Sequence, residues 1–237
     1  MALLNIKGLR IEFPSRRGSV EAVKGIDLAV NGGEIVGVVG ESGAGKSTIG
    51  NAVIGLLEAP GRMTGGEVEL HGERIDNKPF QAMQKIRGRK IGMIFQDPLT
   101  SLNPLFTVGQ QLVETIRTHL DMSEDQARRR AIEMLAEVGI GEPEIRVDQY
   151  PHQFSGGMRQ RVVIALALCA EPEMVIADEP TTALDVSIQA QILDLIRKLC
   201  KERNVGVIII THDMGVIAEI TDRVAVMYRG KIVEIGE

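Results

Sequence analysis

Nine consecutive residues, Gly40-Glu41-Ser42-Gly43-Ala44-Gly45-Lys46-Ser47-Thr48, have the make-up of a loop that holds phosphate. The glycines let the backbone curl until several N–H groups face one point, and a helix starting directly afterwards adds the partial positive charge of its N-terminus. A triphosphate is the guest this chemistry expects. Lys46 would reach the β- and γ-phosphates, and the Ser47 hydroxyl would coordinate Mg²⁺. A second constellation, Asp178-Glu179, closes an apolar run. Two adjacent carboxylates at such a place need a compensating charge, because burying unpaired charge is costly. In a nucleotide site Asp178 would hold the metal, often through water, and Glu179 would orient and polarise the attacking water. The competing use of the pair is as a helix N-cap at a strand end. Its company with the glycine loop favours the metal.

The elements that must position these groups are readable in outline. Residues 35–39 form a continuous apolar run suited to a buried parallel strand, and 49–57 have helical spacing, giving the strand, glycine loop, helix order that the loop requires. Upstream, 3–11 and 22–30 alternate apolar with polar residues as strands with one wet face, separated by a loop over Pro14-Ser15-Arg16-Arg17-Gly18-Ser19. A further alternating strand is expected at 67–70. A small antiparallel sheet beside a parallel one is the simplest account. Buried strands follow at 90–95, 174–177 and 207–210, with a terminal pair at 224–227 and 231–235 around Tyr228-Arg229-Gly230. Between about 98 and 160 the periodicity is helical. One helix covers 108–119, and Ser123 with Gln126 forms a capping box ahead of another at 127–138. Ser155 is the N-cap expected for a helix over 158–170, and a last long helix covers 188–202. The polar residues Gln96, Asp178, Glu179 and His212 therefore fall where parallel strands run out, which is where an open α/β sheet binds ligands.

Whole-chain properties bound the possibilities. A chain of 237 residues can bury a full α/β core, and 25% charged with 44% hydrophobic residues describes an ordinary soluble globule. The net charge of −5 argues against a general nucleic-acid surface. Cys169 and Cys200 have no second ligand at metal spacing and read as buried, reduced thiols. The longest uninterrupted apolar run, 162–170, falls well short of the ~20 residues of a bilayer crossing. The first residues, from Met1 to Lys7, lack the features of a secretory signal. A cytoplasmic protein is expected, with any membrane role through a partner. The run Arg128-Arg129-Arg130 reads as a solvated helix face, and His71, His119 and His152 lack a setting for chemistry.

Taken in order, the motifs resemble those of the ATP-binding cassette (ABC) transporter ATPases along nearly the whole chain. The correspondence runs through the loop 40–47, Gln96, Phe154-Ser155-Gly156-Gly157-Met158, Asp178-Glu179, Ala183-Leu184-Asp185 and His212. The resemblance implies one α/β cassette: a P-loop NTPase core of mostly parallel sheet with helices, an antiparallel β-subdomain and an inserted α-helical subdomain. The β-subdomain and RecA-like core would occupy 1–97 and 161–237, and the helical subdomain 98–160. It also implies that Gln96 joins Ser47 and Asp178 at the metal, that His212 contacts the γ-phosphate, and that Ser155, Gly156, Gly157 and Asp185 complete the ATP site of a second subunit. Phe13 falls where the family stacks an aromatic ring on adenine, a position also compatible with a core residue. Phe154 stands where leucine is usual and Met158 where glutamine is usual. Neither change touches Ser155, Gly156 or Gly157.

The segments 95–104, 155–161 and 177–185 are most similar to those of bacterial dipeptide, oligopeptide and nickel importer ATPases. Members of the peptide branch often carry a further segment, in some cases cysteine-containing and iron–sulfur-binding, a feature not carried over here. The resemblance implies an ATP- and Mg²⁺-dependent ATPase at the cytoplasmic side of the bacterial inner membrane. It would drive peptide uptake through two transmembrane permease subunits, a second ATPase subunit, identical or related, and indirectly an extracytoplasmic substrate-binding protein, with no nucleic acid. Alternatives are a nickel or other small-solute importer ATPase and a soluble non-transport ABC ATPase. Copurifying membrane subunits would separate transport from the last of these.

Overall fold

The computed structural model describes all residues except Met1, Arg17 and Ala183, and Val216, Ala218 and Glu219 through their backbone alone. Three expectations fall partly outside the described residues: Met1 of the first segment, Arg17 of the 14–19 loop and Ala183 of the Ala183-Leu184-Asp185 motif.

The chain opens with a long hairpin, β1 (Leu4–Ser15) and β2 (Gly18–Val30), in which Phe13 pairs with Val20 and Ser15 with Gly18. The loop expected over 14–19 is thus shorter than its Pro, Ser and Gly content suggested, because pairing runs up to the turn itself. β3 (Ile35–Gly40) leads into the glycine loop and α1 (Lys46–Val53). Next come β4 (Arg62–Leu70), which starts five residues earlier than expected, the short β5 (Glu73–Arg74) and α2 (Phe80–Ile86). β6 (Ile91–Ile94) precedes the helical stretch of α3 (Pro98–Ser101), α4 (Val108–His119), α5 (Glu124–Glu137), α6 (Pro143–Arg146) and α7 (Gly156–Leu168). The rest alternates: β7 (Met174–Asp178), α8 (Val186–Glu202), β8 (Gly206–Thr211), α9 (Met214–Ile220), β9 (Arg223–Tyr228) and β10 (Lys231–Gly236).

Among the described residues the strands form two sheets. An antiparallel sheet has the order β2-β1-β4-β5, and a six-stranded sheet has the order β10-β9-β3-β8-β7-β6, parallel except for β10. The six-stranded sheet is the middle layer, as its side-chain alternation shows. Ile35, Val39, Val175, Ala177, Val207 and Ile209 face a core shared with α4, α5, α7 and α8. Their neighbours Val36, Val38, Ile176, Ile208 and Ile210 face a second core closed by α1 and the antiparallel sheet. Strand period two thus assigns the apolar β3, β7 and β8 side chains to one of two cores, which explains why these strands read as unbroken apolar runs.

The helix signals are also physical contacts. Ser123 N donates to Gln126 Oε1 at 2.8 Å and Gln126 N to Ser123 Oγ at 3.3 Å, closing the expected capping box. Thr107 and Gln110 form another at the start of α4. Cys169 and Cys200 are buried free thiols, each pushed up to about 12 by burial. Among the described residues no helix is long and apolar enough to cross a membrane.

Candidate functional site

The carboxyl ends of β3, β7 and β8 meet at a cleft of about 610 Å³ lined by Lys46, Ser47, Thr48, Gln96, Glu179 and His212 among others. The glycine loop is tight by necessity. Gly45 sits at φ +100°, and a Cβ there would lie 2.5 Å from Ala22 O; a Cβ on Gly40 would lie 2.1 Å from Met227 O. Side chains at either position would push the loop off the β2 and β9 backbones that support it. Lys46 is buried, yet its ammonium is satisfied: Nζ donates to Gly40 O at 2.8 Å and Glu41 O at 2.9 Å. Both acceptors are loop carbonyls, so the cation is held at the mouth of the loop with no carboxylate ion-paired to it among the described residues.

Ser47 Oγ, one residue into α1, donates to Asp178 Oδ1 at 2.9 Å. Asp178 is the last residue of β7 and is buried. Burial pushes its carboxyl above the ordinary aspartate value. The Ser47 hydrogen bond opposes that shift, the Glu179 charge adds to it and Lys46 pulls against it. An oxygen pair of this kind, one buried carboxylate and one hydroxyl, is a hard-cation donor set in which a divalent ion would restore the ionised form. Among the described residues no cluster of three or more His, Cys, Asp or Glu could hold a metal by itself.

Glu179 adopts φ +46°, a left-handed conformation that costs a non-glycine residue about 1 kcal/mol or more. Its N–H donates to Ile210 O at 2.8 Å, which fixes the turn to β8. The carboxylate is then surrounded. Gln96 Nε2 donates to Oε2 at 2.8 Å, Thr182 Oγ1 donates to the same oxygen at 2.9 Å, and His212 Nδ1 lies 3.1 Å from Oε1. Burial alone pushes Glu179 up, but hydrogen bonds from His212 and Thr182 and the nearby charges of His212 and Lys46 hold it below the ordinary glutamate value. Two neighbouring carboxylates are therefore pushed in opposite directions, Asp178 by burial and Glu179 by its donors.

The residues predicted from sequence divide into two groups. Lys46, Ser47, Thr48, Gln96, Asp178, Glu179 and His212 converge here with Gly40, Glu41, Ser42, Gly43, Ala44 and Gly45 of the loop. Ser155, Gly156 and Gly157 do not line the cleft. They start α7, where Ser155 Oγ accepts from Met158 N at 3.3 Å while Ser155 and Gly156 stay exposed. Asp185 is exposed at the start of α8. Phe13 is half-buried, packs on the second core and lies against Gly61, whose Cβ would come within 2.6 Å of its ring. Two lining residues, Ala22 and Thr182, were not singled out by sequence. Thr182 carried a signal in hindsight, a hydroxyl three positions after a strand-end glutamate. One expectation is corrected: the run 128–130 is not uniformly solvated. Arg128 pairs with Asp148 at the surface, whereas the Arg130 side chain is only 17% exposed and joins Glu133, Glu137 and Glu171.

The sequence profile of a family described as ABC transporter matches residues 23–182. The oligopeptide transport ATP-binding protein OppD of Bacillus subtilis (strain 168) is 52% identical over 235 residues, 99% of this chain and 66% of that protein. The dipeptide transport ATP-binding protein DppD of Escherichia coli (strain K12) is 46% identical over 100% of this chain and 72% of that protein. The chain thus spans about two thirds of the length of these relatives. Among solved structures, a dimeric post-hydrolysis state of the ATP-binding cassette MJ0796 bound to ADP and Pi superposes with a TM-score of 0.88 at 31% identity. The match covers 99% of this chain and 98% of that one.

Proposed function

The chain belongs to the ABC transporter family, and from that premise we propose that it is the ATP-hydrolysing subunit of a bacterial peptide importer. The observation that carries the activity is the convergence of Lys46, the Ser47–Asp178 pair and the Gln96–Glu179–His212 group on one cleft at the carboxyl ends of parallel strands. The identity of 46–52% to oligopeptide and dipeptide transport ATP-binding proteins supports peptide over nickel or another small solute as the cargo.

Each group has a task its setting suits. Lys46, poised over loop carbonyls, trades them for β- and γ-phosphate oxygens, adding its charge to that of the loop N–H groups and the start of α1. Ser47, Asp178 and Gln96 are the oxygen donors that would hold Mg²⁺, which supplies neutralisation of the phosphate oxygens as charge develops on them. Glu179, kept ionised by its donors, accepts a hydrogen bond from the attacking water and raises its nucleophilicity. His212, 62% exposed at the cleft, marks the γ-phosphate position. Phe13 is proposed for the adenine, although its present packing against Gly61 means that its ring would have to serve both contacts.

Ser155, Gly156, Gly157 and Asp185 lie outside this cleft, which supports a composite site: their helix starts would close over ATP held by a second ATPase subunit, identical or related. The dimeric state of the MJ0796 cassette is in keeping with that arrangement. We place the helical lobe at 98–160, with α7 running on through residue 160 into the core. An apolar groove of about 260 Å³, lined by Ile54, Leu56, Phe95, Val163 and Leu166 among others, lies beside the segment bearing Gln96. It suits short helices of two membrane permease subunits, which would hold the protein peripherally at the cytoplasmic side of the inner membrane, fed from outside by a substrate-binding protein. The test of the site is ATP binding by Lys46→Ala, measured by equilibrium dialysis. Loss of a charge-assisted contact predicts affinity lower by about tenfold or more, and unchanged affinity contradicts the loop assignment.

A further inference from the structure

The three donors around Glu179 differ in what they depend on. Gln96 reaches Oε2 from the segment between β6 and α3, and His212 meets Oε1 from the end of β8. Thr182 reaches Oε2 from Glu179's own turn, which is closed by a hydrogen bond from Thr182 N to Glu179 O at 3.2 Å. In the proposed cycle Gln96 is also wanted at the metal and His212 at the γ-phosphate. When the His212 ring turns to phosphate its contact with the carboxylate is given up, and when Gln96 is drawn to the metal through its Oε1, its Nε2 bond to Glu179 is no longer held by the present geometry. The Thr182 hydroxyl has one proton, and it is committed to Oε2 at 2.9 Å by a geometry local to four residues.

We propose that Thr182 is a positioning residue for hydrolysis, its hydroxyl pinning Oε2 of Glu179 so that Oε1 is the oxygen presented to the attacking water. A carboxylate oxygen has two lone pairs, and Oε2 already accepts from both Thr182 and Gln96. Oε1 has a single side-chain contact among the described residues, His212, and becomes available once that ring engages phosphate. Without Thr182 the carboxylate is free to rotate about its last torsion when Gln96 leaves, and only a fraction of its orientations serves the water. The inference rests on Glu179 being the water-polarising carboxylate.

The test compares Thr182→Val, which removes the donor at similar volume, with Thr182→Ser, which keeps it. Steady-state ATP hydrolysis by the full chain is measured against ATP concentration, alongside equilibrium ATP binding. Thr182→Val is expected to lower kcat about tenfold with KM and ATP affinity within about twofold, and Thr182→Ser to restore most of the loss. In a Glu179→Gln background Thr182→Val is expected to change nothing further. Wild-type kcat in Thr182→Val with Glu179→Gln inactive overturns the role of Thr182 alone. So does an equal fall in Thr182→Ser, which would point to packing. Wild-type turnover by Glu179→Gln removes the premise itself and the inference with it.

Discussion

At the scale of single residues, Gly45 decides whether the phosphate cradle exists. Its φ of +100° and the 2.5 Å approach of a Cβ to Ala22 O leave no room for a side chain. Gly45→Ala should cost about 1–3 kcal/mol, seen as a melting temperature lower by about 2–4 °C per kcal/mol, together with weaker ATP binding. A variant that melts and binds like the parent would show that the loop does not need this shape. Residue types and their spacing in sequence sufficed to pick out Lys46, Ser47, Asp178 and Glu179, whereas His212 was legible only through its place at a strand end and the family resemblance. They did not suffice for Thr182, whose part depends on which way a hydroxyl points in a tight turn. Arg130 was obscured for a related reason. Three consecutive arginines look alike in sequence, but a helix separates them by about 100° each, so Arg128 reaches the surface while Arg130 turns toward Glu137 and Glu171.

Among the elements, those with a strong local signal were legible and those without one were not. β3, β7 and β8 announced themselves as apolar runs because both faces are buried, and α5 because its cap and its apolar stripe agree. α2 and α9, of seven residues each, are too short to show a helical period, and the β1–β2 hairpin overruled turn-forming residues through cross-strand pairing. Asp222 shows how the elements are tied. It accepts from Ile35 N at 2.8 Å at the start of β3 and from Lys201 Nζ at 2.6 Å on α8. Burial pushes its carboxyl up, but these two donors outweigh it and hold the folded-state value below that of the unfolded chain. The sign follows: the contribution is complete above the ordinary aspartate value and disappears as pH falls through the depressed folded value. Thermal melts should therefore show the parent more stable than Asp222→Asn at neutral pH, with the gap closing on acidification below the ordinary aspartate range. A gap that stays constant with pH would mean that the carboxylate's charge is not what ties β3 to α8. Since Asp222 is nearly half exposed, the gap should be modest.

For the whole molecule, the proposed ATP site takes its second half from another ATPase subunit. The cleft gathers the groups proposed to hold a triphosphate and activate the attacking water. Ser155, Gly156 and Gly157, although they cap a helix whose N–H groups suit phosphate, open elsewhere on the surface. No periodicity or spacing within a single sequence reports that separation, because it is a property of how the helical stretch packs on the six-stranded sheet. The account therefore stands or falls on ATP drawing two molecules together. The direct measurement is the solution mass, by light scattering, of Glu179→Gln with ATP and with ADP. The account predicts twice the chain mass with ATP where the second subunit is a copy of this chain, or a one-to-one complex with ATP where a related ATPase subunit is supplied, single-chain masses with ADP, and no complex when Ser155→Arg is added. Single-chain masses under both nucleotides in both settings, or a complex indifferent to Ser155→Arg, would contradict it.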